Sequence, residues 1–104
     1  MNPDHPFVEQ VLGVVEEIPA GRVMTYGGIA AVLGSRASRQ VGQVMARYGS
    51  DVPWWRVIRS DGRPPECHEG RALEHYREEG TPLRTADAGY RIDLRVAAWS
   101  PHAL

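Results

Sequence analysis

Residues 25–48 read TYGGIAAVLGSRASRQVGQVMARY, and the reading of this stretch decides the fold. Thr25 suits a helix N-cap, because its hydroxyl can accept from a backbone N–H that has no partner in the first turn. A short helix is predicted from Tyr26 to Leu33, and Gly34 stops it by accepting a left-handed backbone conformation. Ser35 is placed to cap a second helix, predicted from about Arg36 to Tyr48. On that helix Ala37, Val41, Val44, Met45 and Tyr48 share one face, and Arg36, Arg39, Gln40, Gln43 and Arg47 share the other. Two short helices joined by a tight Gly turn, the second with Arg and Gln outward, form a helix-turn-helix pattern. The same spacing also describes an amphipathic helix pair with a solvated polar face, and the pattern alone leaves both readings open.

Upstream, Phe7, Val8, Val11, Leu12, Val14, Val15 and Ile18 recur at helical spacing, from Pro6 to a stop at Pro19 and Gly21. This predicts a packing helix. Downstream, Pro53-Trp54-Trp55-Arg56-Val57-Ile58-Arg59 alternates like a short strand, and Ser60-Asp61-Gly62 has the chemistry of a hairpin turn. A basic hairpin directly after a helix-turn-helix is a wing. Pro64-Pro65 opens an irregular loop, and Arg71 to Glu79 reads as a further helix with Gly80 as its stop. The tail fits two descriptions: a strand alternating Tyr90, Ile92, Leu94 and Val96, or a short helix capped by Asp93. Trp99 is expected to close over the core.

The chain has 104 residues, 12 basic against 13 acidic, and a formal net charge of −1. That length fits one domain over residues 1–104, burying roughly 65% of the unfolded surface. The charge is uneven. Residues 1–35 carry −3, residues 36–63 carry +4 and residues 64–104 carry −2. The overall balance argues against promiscuous nucleic-acid binding, while the central cationic stretch permits a focused site for an anionic ligand. All 12 basic residues are Arg, whose planar fork stacks and pairs with phosphates and base edges better than Lys. No apolar run is long enough to span a membrane, and Asp4 and Glu9 do not fit a secretory signal, so a cytoplasmic location is expected.

Cys67 is the single cysteine, which excludes an internal disulfide and a cysteine-cluster metal site. His5, His68, His75 and His102 have no metal-ligand spacing, and no phosphate-binding Gly loop is present, so neither metal nor cofactor is expected. Cys67-His68 has the composition of a nucleophile and base, but adjacent residues seldom hold that geometry, and Glu66 and Glu69 oppose a thiolate. Trp54-Trp55 stands out. On an extended segment the two indoles point to opposite faces, so one is core and the other lines a site, where it can stack on a flat ring such as a nucleobase.

From about Phe7 to Gly80, and again at Asp93-Leu94 and Trp99-Ser100-Pro101, the chain resembles the C-terminal domain of O6-alkylguanine-DNA alkyltransferases. The matching segments are Ile18-Pro19-Ala20-Gly21-Arg22-Val23, Thr25-Tyr26-Gly27, Ala37-Ser38-Arg39-Gln40-Val41-Gly42 and Pro53-Trp54-Trp55-Arg56-Val57-Ile58. Alkyltransferases carry Pro-Cys-His-Arg, where the Cys accepts the alkyl group and the His activates it. Trp54 and Trp55 occupy those two positions here. A Trp at the acceptor position resembles the alkyltransferase-like proteins, which bind O6-alkylguanine without repairing it and flag it for nucleotide excision repair. Trp55 departs from the usual member of that group, and the loop from Pro64 to Glu69 has no clear counterpart in it.

The resemblance implies a mostly α, single winged helix-turn-helix domain with a small β hairpin, and a function of base flipping without chemistry. It implies that the helix from Arg36 enters the minor groove and that Arg39 fills the gap left by the flipped base. Tyr26 presses on the lesion's 3′ phosphate. Ser35, Arg36, Ser38 and Ser60 touch the DNA backbone, and Trp54, Trp55 and Tyr26 form the lesion pocket. Glu79 stands near the place of the family's His-orienting acid, and with no His to orient it is expected to be structural or vestigial. The expected partners are duplex DNA containing O6-alkylguanine and nucleotide excision repair proteins, with no membrane. The protein is expected to be a monomer, nucleoid-associated when on DNA. Two other readings stay open: a one-use alkyltransferase with Cys67 as acceptor, and a sequence-reading winged-helix regulator.

Overall fold

The computed structural model describes residues 6–86 and 89–101. The elements run α1 (Pro6–Glu17), β1 (Met24–Thr25), α2 (Tyr26–Val32), α3 (Ser38–Tyr48), β2 (Val57–Ile58), α4 (Glu69–Glu79), β3 (Leu83–Ala86), β4 (Gly89–Ile92) and α5 (Leu94–Ala97). Single 3-10 turns occupy Gly49–Asp51 and Trp54–Arg56. His5 and His102 lie outside the described residues.

The first three helices follow the predicted periodicity. Val11, Val14 and Val15 of α1 and Ile18 just after it are buried, with Ile29 and Ala30 of α2 and Val41, Val44 and Met45 of α3. These side chains share one core with Met24, Val52 and Val57, and Tyr26, Trp54 and Trp99 pack on its edge. A second core holds Val23, Ile58, Ala72, Tyr76, Ile92 and Ala97. Trp54 touches both clusters.

The turn between α2 and α3 shows why this pair forms. The Thr25 hydroxyl accepts from Gly28 N–H at 2.9 Å. Gly34 has φ +71°, the left-handed value that only glycine adopts without strain. The Gly34 and Ser35 N–H groups donate back to the Ala31 and Ala30 carbonyls at 3.0 and 2.8 Å, which satisfies the carbonyls left open at the end of α2. α3 begins two residues later than predicted, at Ser38, because Ser35 caps a local turn instead. Its Oγ accepts from Ala37 N–H at 3.0 Å, and Ala37, with no side-chain bond, is the N-cap of α3.

Two expectations about strands are corrected. Trp54–Arg56 is a 3-10 turn, with Arg56 N–H donating to the Pro53 carbonyl at 3.0 Å. Only Val57–Ile58 is extended, and it pairs in parallel with β1 through Met24↔Val57 and Thr25↔Ile58. The Ser60–Gly62 segment does turn tightly: Gly62 donates to Arg59 at 3.0 Å and Arg59 donates to Arg63 at 2.9 Å. It does not make a β hairpin, because Pro64 and Pro65 follow and have no N–H to donate to a ladder. The wing is instead β3–β4, antiparallel with Leu83↔Ile92, Arg84↔Arg91, Thr85↔Tyr90 and Ala86↔Gly89. The Ser60–Gly62 turn abuts this hairpin through Ile92 N–H and the Gly62 carbonyl at 2.8 Å. Both descriptions of the tail hold in sequence: a strand to Ile92, then a short helix whose cap, Asp93, accepts from Arg95 N–H. Trp99 N–H donates to the Val23 carbonyl at 2.9 Å, which ties the C-terminal segment beside β1.

Candidate nucleic-acid interface

α3 presents its polar face to solvent. Ser38, Arg39, Gln40, Gln43 and Arg47 are exposed, as is Arg36 in the connection before it, and Ser35 is half-buried. The apolar positions that hold α3 down are the same residues that aim these side chains outward. Arg39 is in the first turn of the helix and Arg36 two residues before it.

Tyr26 opens α2 and is half-buried, its ring lying over the Cβ-free backbone of Gly42 on α3. Burial pushes the Tyr26 phenol pKa up, and the Arg59 guanidinium beside it only partly offsets this. The hydroxyl is thus a neutral group able to donate a hydrogen bond to an anion.

Tyr26 and Trp54 line one cavity of about 530 Å³, whose other walls are Met45 and Ala46 of α3, the Gly49–Ser50 turn, and Pro65, Glu66, His68 and Arg71. Its size falls within the ~300–1,000 Å³ of small-ligand sites. Trp54 is edge-on to Trp55 at 5.6 Å and tilted against His68 at 5.5 Å, and the Arg71 guanidinium sits over its ring at 5.9 Å. An indole held this way is an apolar wall with a cation over its ring.

Trp55, expected in the same pocket, is placed elsewhere. In a 3-10 turn successive side chains diverge by about 120°, so the neighbour of a cavity residue turns away from the cavity. The Trp55 ring stacks on His75 at 3.6 Å and 5°, and its Nε1 donates to Glu79 Oε1 at 2.8 Å. Glu79 is the hub of this side of the molecule. It also pairs with Arg56, with Nη2 to Oε1 at 2.6 Å, and accepts from Gly21 N–H at 3.1 Å. Arg56 Nη1 continues to the Ile18 carbonyl at 2.8 Å. Burial alone would raise the Glu79 pKa, but the hydrogen bonds from Arg56, Gly21 and Trp55 outweigh it and hold the carboxyl below its ordinary value. The Tyr76 hydroxyl donates to the Trp55 carbonyl and fixes the backbone of the same turn. Glu79 therefore has a structural role, joining α4, the Trp54–Arg56 turn and the segment after α1.

Ser60 is exposed and lines a different groove, on the side of the β3–β4 hairpin. Cys67 is exposed with φ +69° and is not part of the cavity wall, which takes Pro65, Glu66 and His68 from the same loop. Among the described residues, no group of three His, Cys, Asp or Glu side chains is arranged to hold a metal ion, and no helix is long and apolar enough to cross a membrane. The loop residues and Arg71 are the part of the site that the sequence reading missed. The only signal near them was Cys67-His68, and the His of that pair is the one that reaches the cavity.

Residues 6–80 match the family described as 6-O-methylguanine DNA methyltransferase, DNA binding domain. The chain is 35% identical over 100 residues to a DNA base-flipping protein of Vibrio parahaemolyticus, covering 91% of this chain and 97% of that protein. It is 38% identical over 103 residues to alkyltransferase-like protein 1 of Schizosaccharomyces pombe, covering 91% and 95%. The fold matches the crystal structure of S. pombe Atl1 in complex with damaged DNA containing O6-carboxymethylguanine, with a TM-score of 0.82 and 37% identity over 97% of this chain and 100% of that one.

Proposed function

The chain belongs to the 6-O-methylguanine DNA methyltransferase DNA-binding-domain family, and from that premise we propose that it binds O6-alkylguanine in duplex DNA by flipping the base, without removing the alkyl group. One observation carries this reading: Tyr26 and Trp54 wall a single cavity together with Met45 and Ala46 of the Arg-bearing helix α3, and Trp54 is the residue that the resemblance sets at the family's acceptor Cys. An indole has no thiolate sulfur to take an alkyl group, but it offers a flat apolar face worth roughly 1–3 kcal/mol to a stacked base.

The steps follow from the residues. α3 docks in the minor groove, with Arg36, Ser35 and Ser38 on the backbone. A guanine alkylated at O6 pairs poorly, which lowers the few kcal/mol needed to unstack it. The neutral Tyr26 hydroxyl engages the phosphate beside the lesion and favours its rotation outward. Arg39 enters the vacated stack, where its planar guanidinium bonds to the orphaned partner base. The extruded base rests against Trp54. Cys67 is off the cavity wall, which weighs against its use as a displaced acceptor. Handing the marked site to nucleotide excision repair belongs to the same proposal.

The test is a titration of two matched duplexes, guanine against O6-methylguanine at one position, at a defined salt concentration. Tighter binding to the lesion is expected. Equal affinity for both duplexes refutes lesion recognition, and sequence-selective binding to undamaged DNA points instead to a winged-helix regulator.

A further inference from the structure

The β3–β4 hairpin carries a feature that the lesion cavity does not use. Arg84 and Arg91 are register partners directly opposite each other, and both are exposed. By strand alternation they share the face away from Leu83 and Ile92. Like charges directly opposite on a ladder destabilise it unless an anion sits between them. Neither Arg makes an ion pair with a carboxylate among the described residues.

The two line a groove of about 670 Å³ that also takes in Arg59, Ser60, Arg63 and Arg95. Its acidic members are mostly occupied. Asp61 pairs with Arg63 at 3.4 Å and Asp93 with Arg95 at 3.8 Å, which leaves Glu69 as the remaining carboxylate of the lining. The lining thus sets five guanidinium groups, those of Arg59, Arg63, Arg84, Arg91 and Arg95, against the three carboxylates of Asp61, Glu69 and Asp93, and Asp61 acts on Arg59 and Arg91 as well as on Arg63. Arg59 Nε donates to the Pro64 carbonyl at 3.1 Å, which fixes the side chain without neutralising it. The groove adjoins the lesion cavity along the chain. Ser60 and Pro64 belong to its wall, and Pro65, the next residue, belongs to the wall of the Tyr26–Trp54 cavity.

We propose that this groove is a second phosphate track, which holds the DNA backbone beyond the lesion with Arg84 and Arg91 as its anchors. The proposal rests on the DNA-binding reading above. A phosphodiester is the anion that this geometry suits, because an Arg fork binds phosphate oxygens in pairs and a single phosphate between two opposed guanidinium groups removes their repulsion. The hairpin then acts as a wing through its backbone contacts, not through base readout, so it adds affinity without sequence preference.

The experiment measures affinity against salt concentration for the parent and for Arg84→Gln with Arg91→Gln. It uses unmodified and O6-methylguanine duplexes, each in a long form and in a form truncated by about one helical turn on the side of the groove. On the long duplexes the variant should lose about 0.9 from the slope of log K against log salt, for the one phosphate that the pair holds. On the truncated duplexes parent and variant should have the same slope. Arg84→Lys with Arg91→Lys should keep the parent slope. The Gln variant should melt no lower than the parent without DNA, since it removes a repulsion. An unchanged slope on the long duplexes overturns the proposal and leaves the groove to an acidic protein segment. A parent that binds both bases equally overturns lesion recognition instead, and the slope difference on unmodified DNA still decides the role of the groove.

Discussion

Replacing Glu79 by Ala tests whether the carboxylate that joins α4 to the Trp54–Arg56 turn holds the site together. The carboxylate side chain is 11% exposed and its Arg56 partner 17%. Its removal leaves the Arg56 charge with the Ile18 carbonyl as its remaining acceptor, and strips the acceptor from Trp55 Nε1 and from Gly21 N–H. Breaking a buried ion pair from one side costs about 3–5 kcal/mol. Partial exposure lets water reach Arg56, so the lower end, about 3 kcal/mol, is expected. For a chain of this size that is a drop of roughly 12 °C in thermal midpoint. The assay is thermal unfolding followed by circular dichroism at neutral pH, repeated in acid. The folded-state carboxyl titrates below its ordinary value, so its contribution is present above the unfolded Glu pKa of about 4.3 and is lost as the pH falls through the folded value. The gap between parent and variant should therefore narrow in acid. A drop at neutral pH of less than about 1 kcal/mol, or a gap that widens as the pH falls, refutes the reasoning.

Arg39→Ala should weaken binding to the lesion more than to undamaged duplex, because the finger acts only when a base is extruded, whereas Arg36→Ala should weaken both alike and lower the salt slope by about 1; paired titrations against salt check both. Trp54→Ala, which opens the cavity wall, should reduce lesion preference by about 1–3 kcal/mol with little effect on undamaged DNA. Trp54→Cys with Trp55→His restores Pro-Cys-His-Arg, yet should give a destabilised protein with little methyl uptake. Loss of the Trp55–His75 stack and of two large side chains costs about 3–5 kcal/mol, and thiol chemistry tolerates little misplacement. Fast stoichiometric uptake at an unchanged melting temperature counts against that outcome.

The helix-turn-helix was legible because its determinants are local. Thr25, Gly34 and the three-and-four spacing of Val41, Val44 and Met45 act within a few residues of one another. What was not legible depends on partners distant in the chain. β1 and β2 are two residues each and exist because Met24 meets Val57 across more than thirty residues. The alternation around Trp54 and Trp55 resembled a strand, but Pro53 and the Glu79 network turn that segment into a 3-10 turn. Turn chemistry points to a wing at Asp61-Gly62, but Pro64 and Pro65 after Arg63 interrupt the strand that would complete it. β3 was missed because Leu83–Ala86 shows no buried-exposed alternation. For the candidate site, the α3 arginines, Tyr26 and Trp54 were readable from pattern and resemblance. His68 was not, because a loop that curls over a cavity has no periodicity to betray it, and nothing in the helical spacing of α4 shows that Arg71 meets Trp54 across the fold.

The most direct test follows the alkyl group itself. A duplex with an isotopically labelled methyl group on O6 of one guanine is incubated with the protein, and the protein–DNA complex is isolated, dissociated and separated. The account predicts that the label enters the complex and leaves it still on the DNA, with unmodified protein. Label recovered on the protein, on Cys67 or any other side chain, contradicts it.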